Sequence, residues 1–152
     1  HYLGDIPGSA RSELLSLVVP MCGAYFGEVI RNHLAGARWY TPGDEFSTWR
    51  LEFDGCFLAF NPLGMVLERI SMQEESGWNA HLHLLDKDRP VVDAALAILG
   101  DVRSEDYFRL GTRFEVIETA YSSLTARAKP GDSFGPSVYI AASPNTEDDG
   151  RL

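Results

Sequence analysis

The sequence predicts a single α+β domain in which a small antiparallel sheet packs against several helices. A chain of 152 residues that is 45% hydrophobic is long enough to bury one core and short for two. Stretches with helical spacing of apolar residues flank a set of short alternating segments separated by turns. We therefore interpret residues 1–152 as one domain. Its ends, residues 1–8 and 143–152, are expected to be poorly ordered because they have little to bury.

The first helical stretch carries a proline inside its apolar pattern. Proline removes a backbone hydrogen bond, so we expect either two helices that meet at Val19 and Pro20 or one kinked helix. Further along, Gly23 and Gly27 lie one turn apart on the same stripe. Because glycine weakens a helix, the pair indicates that a neighbouring element packs closely there. The alternative is that the bare backbone leaves room for a ligand.

A meander of three short strands is predicted to follow, over residues 37–41, 48–53 and 57–60. Asp54-Gly55 is a strong signal for a two-residue hairpin between the last two. Alternation in the middle strand predicts one apolar face and one solvated face, the latter carrying Arg50 and Glu52.

Asn61-Pro62 predicts the start of the next helix, because asparagine caps free amides and proline at the first helical position has no amide to lose. The second half is predicted from weaker patterns. It should contain a short strand at 80–85, a helix at 90–99, a short helix at 104–110, a helix at 112–128 that opens with a capping box from Thr112 to Glu115, and a last strand at 137–142.

The formal net charge is −9 and the isoelectric point is near 4.8. The 13 basic residues are dispersed, which argues against general nucleic-acid binding because neutralising phosphates needs clustered Lys and Arg. An acidic surface favours a basic protein partner. No apolar run approaches the ~20 residues of a membrane span, so no span is expected. Cys22 and Cys56 fit reduced, buried thiols, which favours a cytoplasmic protein.

The motifs of familiar enzymes do not occur in the sequence, which has no nucleophile elbow, phosphate loop, dinucleotide fingerprint or zinc-protease helix. His81 and His83 alternate on a predicted strand, but a metal site needs a third ligand, so neither a metal nor another cofactor is predicted. Cys22 and His33 lie about 16 Å apart on one predicted helix, too far for a catalytic pair. No catalytic residue is assigned, and binding is favoured over catalysis.

Aromatic and acidic residues cluster around the first predicted hairpin. If Phe46 and Trp49 point outward beside Asp44 and Glu45, they form a patch suited to gripping a partner protein. The first hypothesis is therefore a non-enzymatic interaction protein that uses this acidic, aromatic-bearing face.

A second hypothesis places function in a pocket between the sheet and the helix that carries Gly23 and Gly27. Tyr25, Glu28 and Arg50 would supply its polar groups. Such a pocket would belong to a small-molecule-binding or hydrolytic domain.

The order of motifs also gives the chain a family resemblance. Residues 23–28 read Gly-Ala-Tyr-Phe-Gly-Glu, residues 38–40 read Arg-Trp-Tyr, residues 61–66 read Asn-Pro-Leu-Gly-Met-Val, and Glu-Arg-Ile follows at 68–70. Over residues 21–70 the chain resembles a group of small bacterial domains of unknown function. The resemblance implies a bacterial origin and an α+β fold and brings no activity with it. Within the first hypothesis, a bacterial immunity-type or adaptor protein is the expected example.

Overall fold

The computed structural model describes residues 8–142. They form five α-helices, one 3-10 turn and a four-stranded antiparallel sheet, so the predicted α+β class is confirmed. The ends that we expected to be poorly ordered lie outside the described residues, except Gly8, which begins the first helix. In chain order the elements are α1 (Gly8–His33), β1 (Ala37–Tyr40), the 3-10 turn (Phe46–Thr48), β2 (Arg50–Phe53), β3 (Leu58–Phe60), α2 (Pro62–Ser71), β4 (His83–Leu84), α3 (Arg89–Ile98), α4 (Leu110–Arg127) and α5 (Pro136–Ala142).

The strands pair in chain order, β1-β2-β3-β4, and every pair is antiparallel. Leu51 of β2 lies opposite Phe60 of β3, and Ala59 of β3 lies opposite His83 of β4. Because successive side chains of a strand point to opposite faces, Leu51 and Phe60 share one face of the sheet and Ala59 and His83 the other. We call these the inner face and the outer face.

The hydrophobic core lies between the inner face and helices α1 to α4. Helix α1 packs against α2, and α3 packs against α4. Burial of apolar area from water is the main stabilising term, and the side chains that contribute most are almost fully enclosed. The largest of them are Phe53, Phe60, Ile30, Leu51, Leu58, Leu63, Met65 and Ile117.

Helix α1 continues through Pro20 without a break, so of the two alternatives the structure has the single helix. Its glycines allow close packing, as the first interpretation predicted. A Cβ on Gly23 would lie 2.6 Å from the Cα of Leu63 in α2, and one on Gly27 would overlap the ring of Trp39. The gap beside these two glycines is therefore filled by Leu63 and Trp39.

The start of α2 is confirmed. The side chain of Asn61 accepts a hydrogen bond from the amide of Leu63 at 3.0 Å, and Pro62 is the first helical residue. The Asn61 amide also donates to the carbonyl of Phe46 at 3.0 Å, which ties the 3-10 turn to this helix. The side chain of Asn61 thus both caps α2 and holds the 3-10 turn against it.

The prediction of a two-residue hairpin at Asp54-Gly55 is wrong. The pairing of β2 with β3 leaves residues 54–57 as the connecting loop, so the return strand begins at Leu58. Cys56 lies in this loop and is buried, while Cys22 is exposed on α1, so only one of the two thiols is buried as expected.

The second half of the chain shows the largest differences from expectation. Helix α4 begins at Leu110, so Thr112 lies inside its first turn and the capping box is wrong. Residues 104–108 form turns instead of a short helix, and the last predicted strand is the helix α5. The strand predicted at 80–85 is confirmed as the two-residue β4, and the helix at 90–99 as α3.

A buried ion pair that the sequence did not reveal joins α2 to α4. The Glu68 carboxylate is 1% exposed and bonds the guanidinium of Arg113. The amide of Glu75 also donates to Glu68 at 3.1 Å, and the ring of Tyr107 lies 4.9 Å from the Arg113 guanidinium. Because both charges have local partners, the pair has a structural explanation.

Candidate functional site

The outer face of the sheet carries a cavity of about 430 Å³, which is within the size range of ligand pockets. One wall is helix α5, and the opposite wall is the connection between β1 and β2 together with the segment around β4. Its polar and aromatic lining includes Trp49, Arg50, Asn79, His83, Asp86 and Tyr139. We call this space the outer-face cavity.

A charged cluster lies on the same face of the sheet. Glu52 is 1% exposed, which corrects the prediction that it faces solvent. Its carboxylate accepts a hydrogen bond from Arg50 Nε at 2.7 Å and lies 3.5 Å from Arg38 Nη2. Two guanidinium groups thus surround one carboxylate, leaving this cluster with one positive charge in excess. Of these two guanidinium groups, that of Arg50 lines the cavity, where it is suited to bind a carboxylate or carbonyl oxygen of a ligand.

Arg50 is held at the cavity by two neighbours. Its guanidinium bonds Glu52, and it also stacks over the ring of Tyr40 at 4.6 Å from the centroid. Arg38 is fixed in a similar way, because it donates to the carbonyl of Phe134 at 2.8 Å. Groups held like this lose little conformational entropy when a ligand binds.

Tyr139 attaches α5 to the sheet. Its buried hydroxyl accepts from the amides of Phe53 and Leu58, both at 3.1 Å, and lies 2.9 Å from the carbonyl oxygen of Cys56. Its ring stacks on Phe57 with the centroids 4.5 Å apart. Burial raises the pKa of Tyr139 to about 12, although the hydrogen bonds to Leu58 and Phe53 oppose this shift. The phenol therefore stays protonated at neutral pH and acts as an anchor for the cavity wall.

His83 also lines the cavity, and its pKa is lowered from the usual value of histidine. Partial burial of the ring lowers its pKa first, and the positive charges of Arg50, His81 and Arg89 lower it further. The imidazole is therefore neutral at pH 7. Among residues 8–142, no group of three histidine, cysteine, aspartate or glutamate side chains is placed to hold a metal ion.

The residues predicted to bind a partner lie together beside this cavity. Asp44 and Glu45 are exposed, and Phe46 and Trp49 are half-buried. The two rings meet edge to face with centroids 4.8 Å apart. The indole of Trp49 also donates to the carbonyl of Gly43 at 2.7 Å, so the ring is fixed while part of it stays accessible.

The residues of the second hypothesis are not brought together. Tyr25 and Glu28 line a shallow groove on the outer surface of α1, whereas Arg50 lines the outer-face cavity. The Glu28 carboxylate bonds Arg31 at 2.8 Å and the indole of Trp39 at 2.7 Å. The hydrogen bond from Arg31, followed by that from Trp39, lowers the pKa of Glu28 to about 2. Glu28 therefore has a structural explanation as a partner of Trp39.

Sequence reasoning did not link three residues to the cavity. His83 was considered only as a metal ligand, Asn79 lies in the loop before the two-residue β4, and Tyr139 lies in a segment that we interpreted as a strand. A signal was available in Pro136, because proline is favoured at the first position of a helix.

Comparison of the chain with protein-family models, with curated proteins and with solved structures finds no match in any of the three. The resemblance over residues 21–70 stays an expectation. Among residues 8–142, one helix, Gly8–His33, is long and apolar enough to cross a membrane by length and composition. The core helix of a soluble protein and a signal sequence meet the same criterion, so the expectation of no membrane span stays a prediction.

Proposed function

We propose that this protein is a non-enzymatic interaction protein that binds a segment of a partner protein across the outer-face cavity. Trp49 is the anchor of this surface. Asp44 and Glu45 stand beside it and attract basic residues of the partner. A bacterial immunity-type or adaptor protein acting in the cytoplasm fits this proposal.

The observation that carries the proposal is the state of Trp49. Binding energy at protein interfaces concentrates on a few aromatic and arginine side chains that fill pockets, and it is largest where the side chain is already ordered. Trp49 is half-buried, packed on Phe46 and hydrogen-bonded to Gly43, so its ring is in place before a partner arrives. Arg50 follows it in the chain and lies in the same cavity.

The test is site-specific photo-crosslinking in extracts of the source organism. A photoreactive amino acid replaces Thr48, which lines the cavity, and in a second variant it replaces Ile98, which is 88% exposed on α3. The proposal expects one discrete protein crosslinked from position 48 and lost when Trp49→Ala or Asp44→Arg is added. No crosslink at position 48, or the same one at position 98, would contradict it.

A small-molecule-binding role is the second candidate, and the volume of the cavity favours it. About 430 Å³ lined by Arg50, His83 and Asn79 fits a small molecule that carries a carboxylate. In this candidate the ligand binds in the outer-face cavity, and not in the space beside Gly23 and Gly27 where the sequence predicted a pocket. A metabolite thermal-shift screen tests it. It expects a stabilising ligand whose effect is lost in His83→Ala, and a screen with no stabiliser counts against it.

A further inference from the structure

Helix α1 carries an apolar stripe on the side opposite the core. Its buried residues, such as Phe26 and Ile30, face the sheet and α2. At helical spacing on the other side lie five exposed apolar side chains. They are Leu14, Leu17, Met21, Tyr25 and Val29, with 61% of Leu17, 64% of Met21 and 74% of Tyr25 exposed. We call them the α1 stripe.

An exposed apolar patch as long as the α1 stripe marks a site that another surface covers. In the most apolar 18-residue window of α1 only 28% of the residues are buried, and none of residues 8–18 is fully buried. A membrane-spanning role would need about 20 residues of α1 in lipid, which would pull Phe26 out of the core. A chain with a net charge of −9 is also repelled by anionic membrane surfaces.

The charges along α1 match an antiparallel copy of the same helix. A two-fold axis between positions 19 and 20 sets Leu14 against the partner's Tyr25 and Arg11 at the height of the partner's Glu28. The Arg11–Glu28 pair occurs twice by symmetry. Glu28 receives three hydrogen bonds from Arg31 and Trp39, and a carboxylate has about four acceptor positions, so it still accommodates a second cation.

We propose that the α1 stripe binds a second copy of this chain, with the two α1 helices antiparallel and Arg11 of each facing Glu28 of the other. The outer-face cavity lies on the far side of the sheet from α1, so the dimer leaves it open. This inference is independent of the proposed function.

Sedimentation velocity of the full chain tests association. Between about 1 and 300 µM, where a small interface associates, we expect the apparent mass to rise from 16.8 kDa toward twice that value. Leu17→Glu should raise the dissociation constant about a hundredfold, because each dimer carries the change twice next to the axis. Ile98→Glu is the matched control, since it replaces an even more exposed apolar residue, on α3, and should leave the dimer unchanged.

Cysteine crosslinking tests the register. In a Cys22→Ser background, a mixture of Leu14→Cys and Tyr25→Cys chains should form a mixed disulfide, because these positions face each other. Leu14→Cys alone should not crosslink with itself, because the two copies of that position lie about 16 Å apart along the pair. Cys56 is buried and stays in place.

Four results would overturn the proposal. A wild-type chain that stays monomeric at ~300 µM, where small interfaces associate, has no such interface. A dimer that survives Leu17→Glu uses another surface. Self-crosslinking of Leu14→Cys indicates parallel helices. Flotation of the monomer with neutral phosphatidylcholine vesicles would also overturn it, by showing that lipid covers the α1 stripe.

Discussion

The two faces of the sheet differ in what they contact. The inner face is apolar and closed by four helices, with Leu51, Phe53 and Phe60 fully buried. The outer face carries Glu52 with two arginines and is covered in part by α5, which leaves a cavity. A polar face of this kind stabilises a fold less than an apolar one, since its charges must be desolvated. The difference indicates that the inner face holds the fold together and the outer face is free to bind.

The largest loss of stability is expected from a substitution on the inner face. Phe60→Ala should lower the free energy of unfolding by about 3–5 kcal/mol, because it removes a fully buried ring and leaves a cavity. Urea denaturation followed by circular dichroism measures this loss. Trp49→Ala, on the outer face, should lower stability by less than about 1.5 kcal/mol, since the ring is half-buried. Equal losses would break the comparison between the two faces.

On the outer face, mutations in the charged cluster of Glu52, Arg38 and Arg50 should lower the free energy of unfolding most. Glu52→Ala is expected to lower the free energy of unfolding by about 2–3 kcal/mol, because it leaves Arg38 and Arg50 beside each other without their common carboxylate. Glu52→Gln keeps the shape and serves as the milder control. A neutral result for Glu52→Ala in chemical denaturation would show that solvent already screens both arginines.

Loss of the Tyr139 hydroxyl should have a smaller, local effect. Tyr139→Phe leaves the amides of Phe53 and Leu58 without that acceptor, at an expected loss of about 1–3 kcal/mol. Hydrogen exchange should accelerate at these two amides while α1 keeps its protection. Uniform acceleration over the whole chain would mean that α5 belongs to the cooperative core.

The smallest expected effect is the titration of His83. Its folded-state pKa lies below 6.5, so the neutral form is favoured in the fold. The stability that this contributes is present above pH 6.5 and is lost as the pH falls through the lowered value. The imidazole proton resonances in nuclear magnetic resonance should titrate below pH 6.5 in the protein. A midpoint at or above 6.5 would contradict the lowering of the pKa by partial burial of the ring and by Arg50.

The sequence predicted the parts of this fold that depend on local chemistry. Asn61-Pro62 starts α2 because capping involves residues two apart, and the close packing at Gly23 follows from a single helix stripe. The errors have two physical causes. A short segment such as Pro136–Ala142 fits a helix or a strand equally well until Tyr139 finds its partners. The burial of Glu52 depends on an arginine in another strand.

The candidate site was predicted in part for the same reason. Trp49 and its acidic neighbours are contiguous in sequence, so their proximity was foreseeable. Arg50 was also singled out, but it was assigned to the wrong pocket because the face of a strand depends on what covers it. His83 and Tyr139 reach the cavity from residues distant in sequence, and no local pattern links them.

The most direct test of partner binding at the outer face is the affinity of Trp49→Ala for the protein captured from position 48. Isothermal titration should show a dissociation constant raised about 30-fold or more for this variant, the loss expected of a central aromatic anchor. Trp78→Ala is the matched control, a half-buried tryptophan that does not line the outer-face cavity, and should change the constant less than about threefold. Equal affinities of the two variants would contradict the account.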